Sequence, residues 1–194
     1  MAQFEVYEKG IEIIGKDIKA TIDGMGVFKN AALKILSDVG LDNMVFDETH
    51  WYSHEKWLEA LKIISEQVGP KTLFNIGKSI IDNAVLPPIK NIEDALELMD
   101  IAYHMNYRNK YGRRLYDPVK KIMLEGIGHY KYQRAKEGKT KALMICDDPY
   151  PCDYNMGIIT SFSKKFVKLS TIRHVDHLPC KKNGADSCTY LVKW

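Results

Sequence analysis

Three cysteines and one histidine near the C-terminus constrain this chain more than any other feature. Cys152 is followed by His177-Leu-Pro-Cys180 and then by Cys188. Three thiols and one imidazole complete a tetrahedral zinc shell, and Cys₃His is a usual structural set. Because these four ligands leave no open position for a reactive water, the pattern predicts a structural zinc site rather than a catalytic one.

Two neighbouring side chains remain alternative ligands. His174 could replace His177, although it would point to the opposite face of an extended strand. Cys146 could replace Cys152, which lies close to it in sequence. The simpler interpretation of Cys146, at the end of an apolar run, is a buried structural thiol.

Composition and length indicate a soluble cytoplasmic protein with one sizeable core. The chain has 194 residues, of which 45% are hydrophobic and 27% are charged. It contains no run as long as a membrane span, and its N-terminus lacks the apolar region of a signal peptide. In a reducing compartment we expect free or metal-bound thiols rather than disulfides.

Helical spacing of apolar residues dominates the first half of the chain. One predicted helix ends near Gly40, a second begins near Ser53, and a third holds Leu73 to Ile81. After a break at Pro87-Pro88, Asn91 is a natural N-cap for a fourth helix through Met105. We therefore expect a mainly helical part over residues 1–107.

Short β-prone runs separated by turn residues follow from about residue 122. One such turn is predicted at Glu137-Gly138-Lys139. A helix is favoured for the ambiguous segment 156–166. The pattern predicts an α+β fold in which the helices pack on a small antiparallel sheet, with an α/β part and the zinc site over residues 108–194. The candidate strands are 128–133, 142–146, 157–162, 166–175 and 189–193.

The C-terminal motif resembles the 4-vinyl-reductase domain family, which includes the sensor domains of phenol-responsive activators and small free-standing archaeal proteins. The resemblance rests on Asp148-Pro149-Tyr150-Pro151-Cys152, on the Cys180 and Cys188 spacing, and on the intervening Gly184. The family pattern has a glutamate where this chain has His177, and imidazole replaces carboxylate readily on zinc. The motif covers the last fifty residues or so well, the preceding β region loosely, and the N-terminal helices only in their general character.

This resemblance implies the fold of ligand-binding domains in nitric-oxide signalling and Golgi-transport proteins. In that fold, helices pack on one twisted antiparallel sheet, the protein is commonly a homodimer, and an apolar pocket holds a small ligand. The zinc of the phenol sensors is structural and lies beside the pocket. A fold does not fix a function, so these properties are expectations.

Candidate pocket residues are aromatic side chains and histidines. His129, Tyr130 and Tyr132 lie on a predicted strand at the place where the phenol sensors carry a pocket tryptophan, and they suit a planar ligand. A half-exposed strand with solvent-facing tyrosines is the simpler interpretation of this run. Trp51 and Trp57 are the candidates of a second cluster that includes His50 and His54, although staple packing at a helix start explains that cluster more simply.

His104 is the last candidate, on a helix with Tyr103 and Tyr107. It is interpreted first as a core or surface histidine. His50 and His54 flank Trp51 and could also serve as axial haem ligands, but the chain has no haem-attachment motif.

A basic stretch with interleaved tyrosines is the best argument for nucleic-acid binding. A solvated connector explains it more simply, and the formal net charge is only +3, so a nucleic-acid partner is not expected. The stretch comprises Arg108, Lys110, Arg113, Arg114, Lys120 and Lys121.

Three functional hypotheses follow. The leading one is a zinc-stabilised sensor or binding domain for an apolar or aromatic small molecule, such as a lipid or tetrapyrrole. The family name suggests an enzyme or accessory protein in tetrapyrrole vinyl-group reduction, but no nicotinamide or flavin motif is present to supply hydride. A dimeric scaffold without a small ligand is the third.

Overall fold

The computed structural model describes residues 3–41, 47–82, 84, 88–135 and 138–194. Two predicted features, the break at Pro87 and the turn residue Glu137, lie outside these ranges. The helices in the described residues are α1 (Gly15–Gly24), α2 (Lys29–Asp38), α3 (His54–Gln67), α4 (Pro70–Asp82), α5 (Ile92–Met105) and α6 (Cys152–Phe166), with 3₁₀ turns at Gly26–Phe28 and Lys181–Asn183.

The strands form antiparallel sheets. A small sheet in the first half has the order β2-β1-β3, β4 pairs with β5, and the main sheet has the order β6-β7-β9-β8. Their bounds are β1 (Glu12–Ile14), β2 (Trp51–Ser53), β3 (Tyr107–Arg108), β4 (Tyr116–Asp117), β5 (Ile122–Met123), β6 (Tyr130–Arg134), β7 (Lys141–Cys146), β8 (Thr171–His174) and β9 (Cys188–Lys193).

Local sequence determines three of the predicted helix ends. The Ser53 hydroxyl accepts a hydrogen bond from the Lys56 amide, and the Asn91 side chain accepts one from the Asp94 amide at 2.9 Å. Each is an N-cap that satisfies an otherwise unpaired helical donor. Gly40 follows α2 with a φ of +73°, a conformation that glycine adopts without strain.

Residues 157–162 belong to α6, so the strand considered there is corrected to the favoured helix. This helix is buried on several sides, through Ile158, Ile159 and Phe162 among others, and a helix in that position lacks a clear amphipathic period. The candidate strand 166–175 is also shorter, because α6 extends to Phe166 and β8 covers only Thr171–His174.

Two glycines bring α4 and α6 into close contact. A Cβ added at Gly77 would lie 2.0 Å from the Tyr154 carbonyl oxygen, and one at Gly157 would lie 2.1 Å from the Phe74 carbonyl oxygen. Neither distance is compatible with a real side chain. The glycines therefore set how closely α6 packs against the helical part.

The architecture confirms the predicted α+β fold, with helices packed against an antiparallel sheet. One core connects the helices and the sheet, from Trp57 and Leu61 to Ile159 and Val192. None of the helices in the described ranges is both long and apolar enough to cross a lipid bilayer.

Candidate ligand cavity and metal group

Three cysteines converge where α6, the Lys181–Asn183 turn and β9 begin. Cys152 is the first residue of α6, Cys180 precedes the 3₁₀ turn, and Cys188 is the first residue of β9. The sulfur–sulfur distances are 3.0 Å (Cys152–Cys188), 3.4 Å (Cys152–Cys180) and 3.7 Å (Cys180–Cys188). These distances are too long for disulfides. They approach the separation of about 3.8 Å that tetrahedral Zn–S bonds of about 2.3 Å imply.

His174 supplies the fourth donor of this metal group. The ligand atoms of Cys152, His174, Cys180 and Cys188 all lie within 4.8 Å of one another. The His174 Nδ1 is 3.0 Å from Asp176 Oδ1, while its Nε2 is buried without a hydrogen-bond partner. A carboxylate on one imidazole nitrogen with the other nitrogen left for metal is the usual arrangement of zinc-binding histidines.

His177, the histidine chosen from the sequence, is exposed and lies outside the metal group. The reason is the end of β8: His174 is its last residue and pairs with Tyr190, two residues after Cys188, whereas the chain turns away before His177. Cys146 is a fully buried thiol paired in register with Cys188 but is not among the grouped donors. The structure therefore groups His174, rather than His177, with the three cysteines.

The thiols of Cys152 and Cys188 differ in how readily they ionise. A hydrogen bond from Cys152 lowers the pKa of the Cys188 thiol, and the same bond, together with burial, raises the pKa of Cys152. Since the thiolate is the form that binds metal, Cys188 is ready to act as a ligand.

A buried polar network joins the metal group to the rest of the core. Lys181, next to Cys180, donates from Nζ to the Asp148 carbonyl at 2.6 Å and to the Tyr150 carbonyl at 2.8 Å, and lies 3.3 Å from Asp148 Oδ1. The Asn155 amide donates to both Asp148 carboxylate oxygens and accepts from the Tyr130 hydroxyl at 2.7 Å. Both charged side chains are fully buried, so each depends on the other.

A cavity of about 710 Å³ lies between α1, the end of α4, α5 and α6. Its volume is within the range of small-molecule sites. One face of α5 is apolar and only partly buried because it borders this space. That face carries Leu98, Ile101, Ala102 and Met105.

Five tyrosines line the same cavity: Tyr103, Tyr107, Tyr130, Tyr150 and Tyr154. Their rings form a continuous group, with Tyr150 and Tyr154 stacked at 4.9 Å and Tyr103 in edge contact with Tyr107 and Tyr130. The Tyr103 hydroxyl donates to the Ile127 carbonyl, and the Tyr107 and Tyr150 hydroxyls bond to each other. Burial raises the pKa of Tyr103, Tyr107 and Tyr130 well above the usual range, so these hydroxyls are neutral.

Asp17 places a carboxylate on the wall of this cavity, in the first turn of α1. Asn106 Nδ2 donates to its Oδ1 at 3.3 Å. Burial raises the pKa of this carboxyl to about 7, although the nearby Lys16 opposes the shift. Exposed charges of both signs, Lys16, Lys19, Asp23 and Glu48, also border the cavity.

Of the six pocket candidates from the sequence, Tyr130 lines this cavity. Trp51 instead lies beneath two guanidinium groups, with Arg108 at 4.9 Å and Arg114 at 5.7 Å from its ring centre. Arg108 also pairs with Glu12 at 2.5 Å. Part of the basic stretch therefore packs against the protein itself.

Trp57, Tyr132, His104 and His129 are not among the residues described as lining the cavity. Trp57 is fully buried in the core, and Tyr132 is half-buried against it. His129 bridges two carboxylates, Asp100 and Glu125, each at 2.9 Å, and borders a separate polar depression.

His104 is fully buried beside His129, on a different face of α5 from the cavity. Its Nδ1 is 2.8 Å from the Asp100 carbonyl, and its Nε2 has no hydrogen-bond partner. Asp100, His104 and His129 also lie close enough together to hold a metal ion, but both nitrogens of His129 are already bonded to carboxylates.

Sequence reasoning missed most of the cavity wall. Tyr103 and Tyr107, like Tyr150 and Tyr154, are four residues apart, a spacing typical of one helix face, although Tyr107 begins β3 and Tyr150 precedes α6. That repeated spacing, in a chain with eleven tyrosines, was the available signal. Asp17 carried no such signal, because an acidic residue in the first turn of a helix is common.

Comparisons with known proteins identify the fold. No protein-family model and no curated protein matches the chain. An H-NOX protein from S. oneidensis in the Fe(II)NO ligation state is similar, with a TM-score of 0.64, 11% identity, and coverage of 93% of this chain and 98% of that one. A mutant of an S. oneidensis H-NOX protein in the Fe(II) ligation state gives 0.65 and 12%, with coverage of 93% and 95%.

A third solved structure, described as probing haem distortion in the H-NOX family, has a TM-score of 0.62, 16% identity, and coverage of 94% of this chain and 95% of that one. These similarities span nearly the whole chain. The fold of this protein is that of H-NOX domains, which confirms the nitric-oxide signalling fold expected from the sequence.

Proposed function

We propose that this protein is a small-molecule-binding sensor domain whose ligand occupies the tyrosine-lined cavity. The observation that carries this proposal is the cavity itself, about 710 Å³ between the helical part and α6. Apolar side chains such as Leu98 and Ile101 stay only partly buried on its wall, although a packed core would normally cover them. The H-NOX structures of similar fold, described in Fe(II) and Fe(II)NO ligation states, support a role in ligand sensing.

The described wall of this cavity does not offer haem its usual histidine ligand. The residues described as lining it include neither a histidine nor a cysteine. His54 and His104 are buried elsewhere, and burial raises the pKa of all five lining tyrosines above the usual value, so their hydroxyls are neutral. Haem iron takes its axial ligand from His, Cys, Met or a Tyr oxygen. Of these, only Met99 and Met105 remain on the described wall. We therefore assign the cavity an organic ligand other than haem.

The chemistry of the wall favours an apolar or aromatic ligand. Tyrosine rings offer flat apolar surface for stacking, and the α5 face offers aliphatic contact. Membership of the 4-vinyl-reductase family stays a prediction, and nothing in the described cavity favours a reductase over a binding domain.

Zinc at the metal group has a structural role in this proposal. Cys152, Cys180 and Cys188, with His174, supply four ligands of a usual structural set. The site lies next to the segment that carries Tyr150, so zinc would fix one side of the cavity wall.

The experiment that tests ligand binding is native mass spectrometry of the purified protein, followed by solvent extraction. We expect about one apolar or aromatic small molecule per chain. Replacement of Ala102 by Phe fills the cavity from α5 and should reduce this occupancy at least about fivefold. The control, Ala31→Phe, places the same ring on the exposed surface of α2 and should leave the occupancy unchanged.

Equal occupancy in both variants would place the ligand outside the cavity. A visible absorbance band from co-purifying haem would contradict the choice of an organic ligand other than haem.

A further inference from the structure

The tyrosine-lined cavity also contains charge, and that charge restricts which ligands fit. Asp17, on α1, is a partly buried acidic residue of the cavity wall, and the exposed residues Lys16, Lys19, Asp23 and Glu48 form a charged rim. At the rim, Lys19 pairs with Glu48 at 3.0 Å and with Asp23 at 3.5 Å, so charges of opposite sign already balance there.

The Asp17 carboxylate has no such pairing with an opposite charge. No ion pair to its carboxylate is recorded among the described residues, and the side-chain donor that reaches it is the neutral amide of Asn106, at 3.3 Å. Lys16, its neighbour in sequence, is exposed to water, which screens its charge. A carboxylate in a mostly apolar cavity is costly without a cation beside it.

The tyrosine rings add a second, independent preference for positive charge. The negative faces of aromatic rings attract cations within about 6 Å of the ring centre. Tyr107, Tyr150 and Tyr154 line the same cavity as Asp17. Asn106, which donates to the Asp17 carboxylate, directly precedes Tyr107. The carboxylate and this part of the aromatic wall therefore act on the same region of the cavity.

We propose that the ligand is an organic ammonium compound, with a positively charged nitrogen held by Asp17 and the tyrosine rings and an apolar body along α5. The inference rests on the proposed function, since it names the ligand class of the same cavity. An anionic ligand would meet Asp17 without compensation, and a neutral one would leave the carboxylate unpaired. Burial raises the pKa of the Asp17 carboxyl to about 7, as expected for a carboxyl in a mostly apolar cavity.

Three probes with the same apolar chain test the charge preference: octyltrimethylammonium below its micelle-forming concentration, 1-octanol and octanoate. Isothermal titration calorimetry at pH 8, where Asp17 is mostly ionised, should show at least tenfold tighter binding of the ammonium than of octanol. Octanoate should bind most weakly of the three.

Asp17→Asn keeps the shape of the side chain and removes its charge. This variant should bind the ammonium at least tenfold more weakly than the unmodified protein and bind octanol within twofold of it. Asp38→Asn, an equal change at the exposed end of α2, should alter neither affinity. Melting curves of both variants check that they are folded.

The outcomes separate the inference from the proposed function. If octanol binds as tightly as the ammonium, or if Asp17→Asn leaves the ammonium affinity unchanged, the charge preference is overturned while the cavity remains a binding site. If none of the three probes binds, both proposals are overturned.

Discussion

At the scale of single residues, two histidines three positions apart have different environments. His174 has one nitrogen on Asp176 and the other buried beside the cysteines, whereas His177 is exposed. A metal site needs a ligand whose lone pair faces the other ligands, so position in the fold matters more than spacing in the sequence.

The two histidines provide a matched pair of variants for the zinc proposal. Purified protein should contain about one zinc per chain, measured by elemental analysis. His174→Ala should weaken zinc binding at least about tenfold in competition with a colorimetric chelator, because it removes a ligand. His177→Ala should bind zinc as the unmodified protein does.

The opposite result, with zinc lost from His177→Ala and kept by His174→Ala, would restore the assignment made from the sequence. Folded protein without zinc and with all thiols reactive would refute the metal site altogether.

At the scale of elements, the contact between α4 and α6 is set by the absence of side chains. Gly77 and Gly157 each face a backbone carbonyl of the opposite helix, and a backbone carbonyl cannot move aside as a flexible side chain can. The positions of Tyr154 and Ile158, which line the cavity from α6, depend on this close approach.

Gly157→Ala should therefore destabilise the protein, by about 1–3 kcal/mol or more, the usual cost of overpacking. Urea unfolding followed by circular dichroism measures this free energy. Gly69→Ala is the control, because a Cβ at Gly69 would meet no heavy atom within 4 Å, and its effect should be clearly smaller. Equal stability of the two variants would show that α4 and α6 can separate at little cost.

At the scale of the whole molecule, one buried network links the metal group to the cavity. Lys181 follows Cys180 directly, its ammonium holds the Tyr150 carbonyl, and its partner Asp148 reaches Tyr130 through Asn155. Tyr130 and Tyr150 both line the cavity. The two candidate sites therefore share one set of interactions.

Lys181→Met tests this link. It leaves the Asp148 carboxylate buried and unpaired, which typically costs about 3–5 kcal/mol. Lys182→Met, at the next position, removes an exposed ion pair with Asp153 and should cost less than about 1 kcal/mol. Chemical unfolding of both variants measures the difference, and similar stabilities would contradict the role of the network.

Specific residues show which features could be predicted from the sequence and which could not. Ser53 and Asn91 marked helix starts because an N-cap depends on its neighbours in the chain alone. The same reasoning chose His177 over His174 and proposed Trp51 for a pocket, although Trp51 lies beneath Arg108 and Arg114. Those choices depend on contacts between distant segments.

The sequence by itself determined the α+β class, most of the helices, the four strands of the main sheet and the cysteines that converge, because periodicity, caps and turns are local properties. Only the tertiary structure decided which histidine joins those cysteines and that Asp17 shares a cavity with five tyrosines. Asp17 and Tyr154 are far apart in the chain, and the packing of α1 against α4 and of α4 against α6 brings them to one wall. Such proximity follows from how helices and strands pack, which no local pattern encodes.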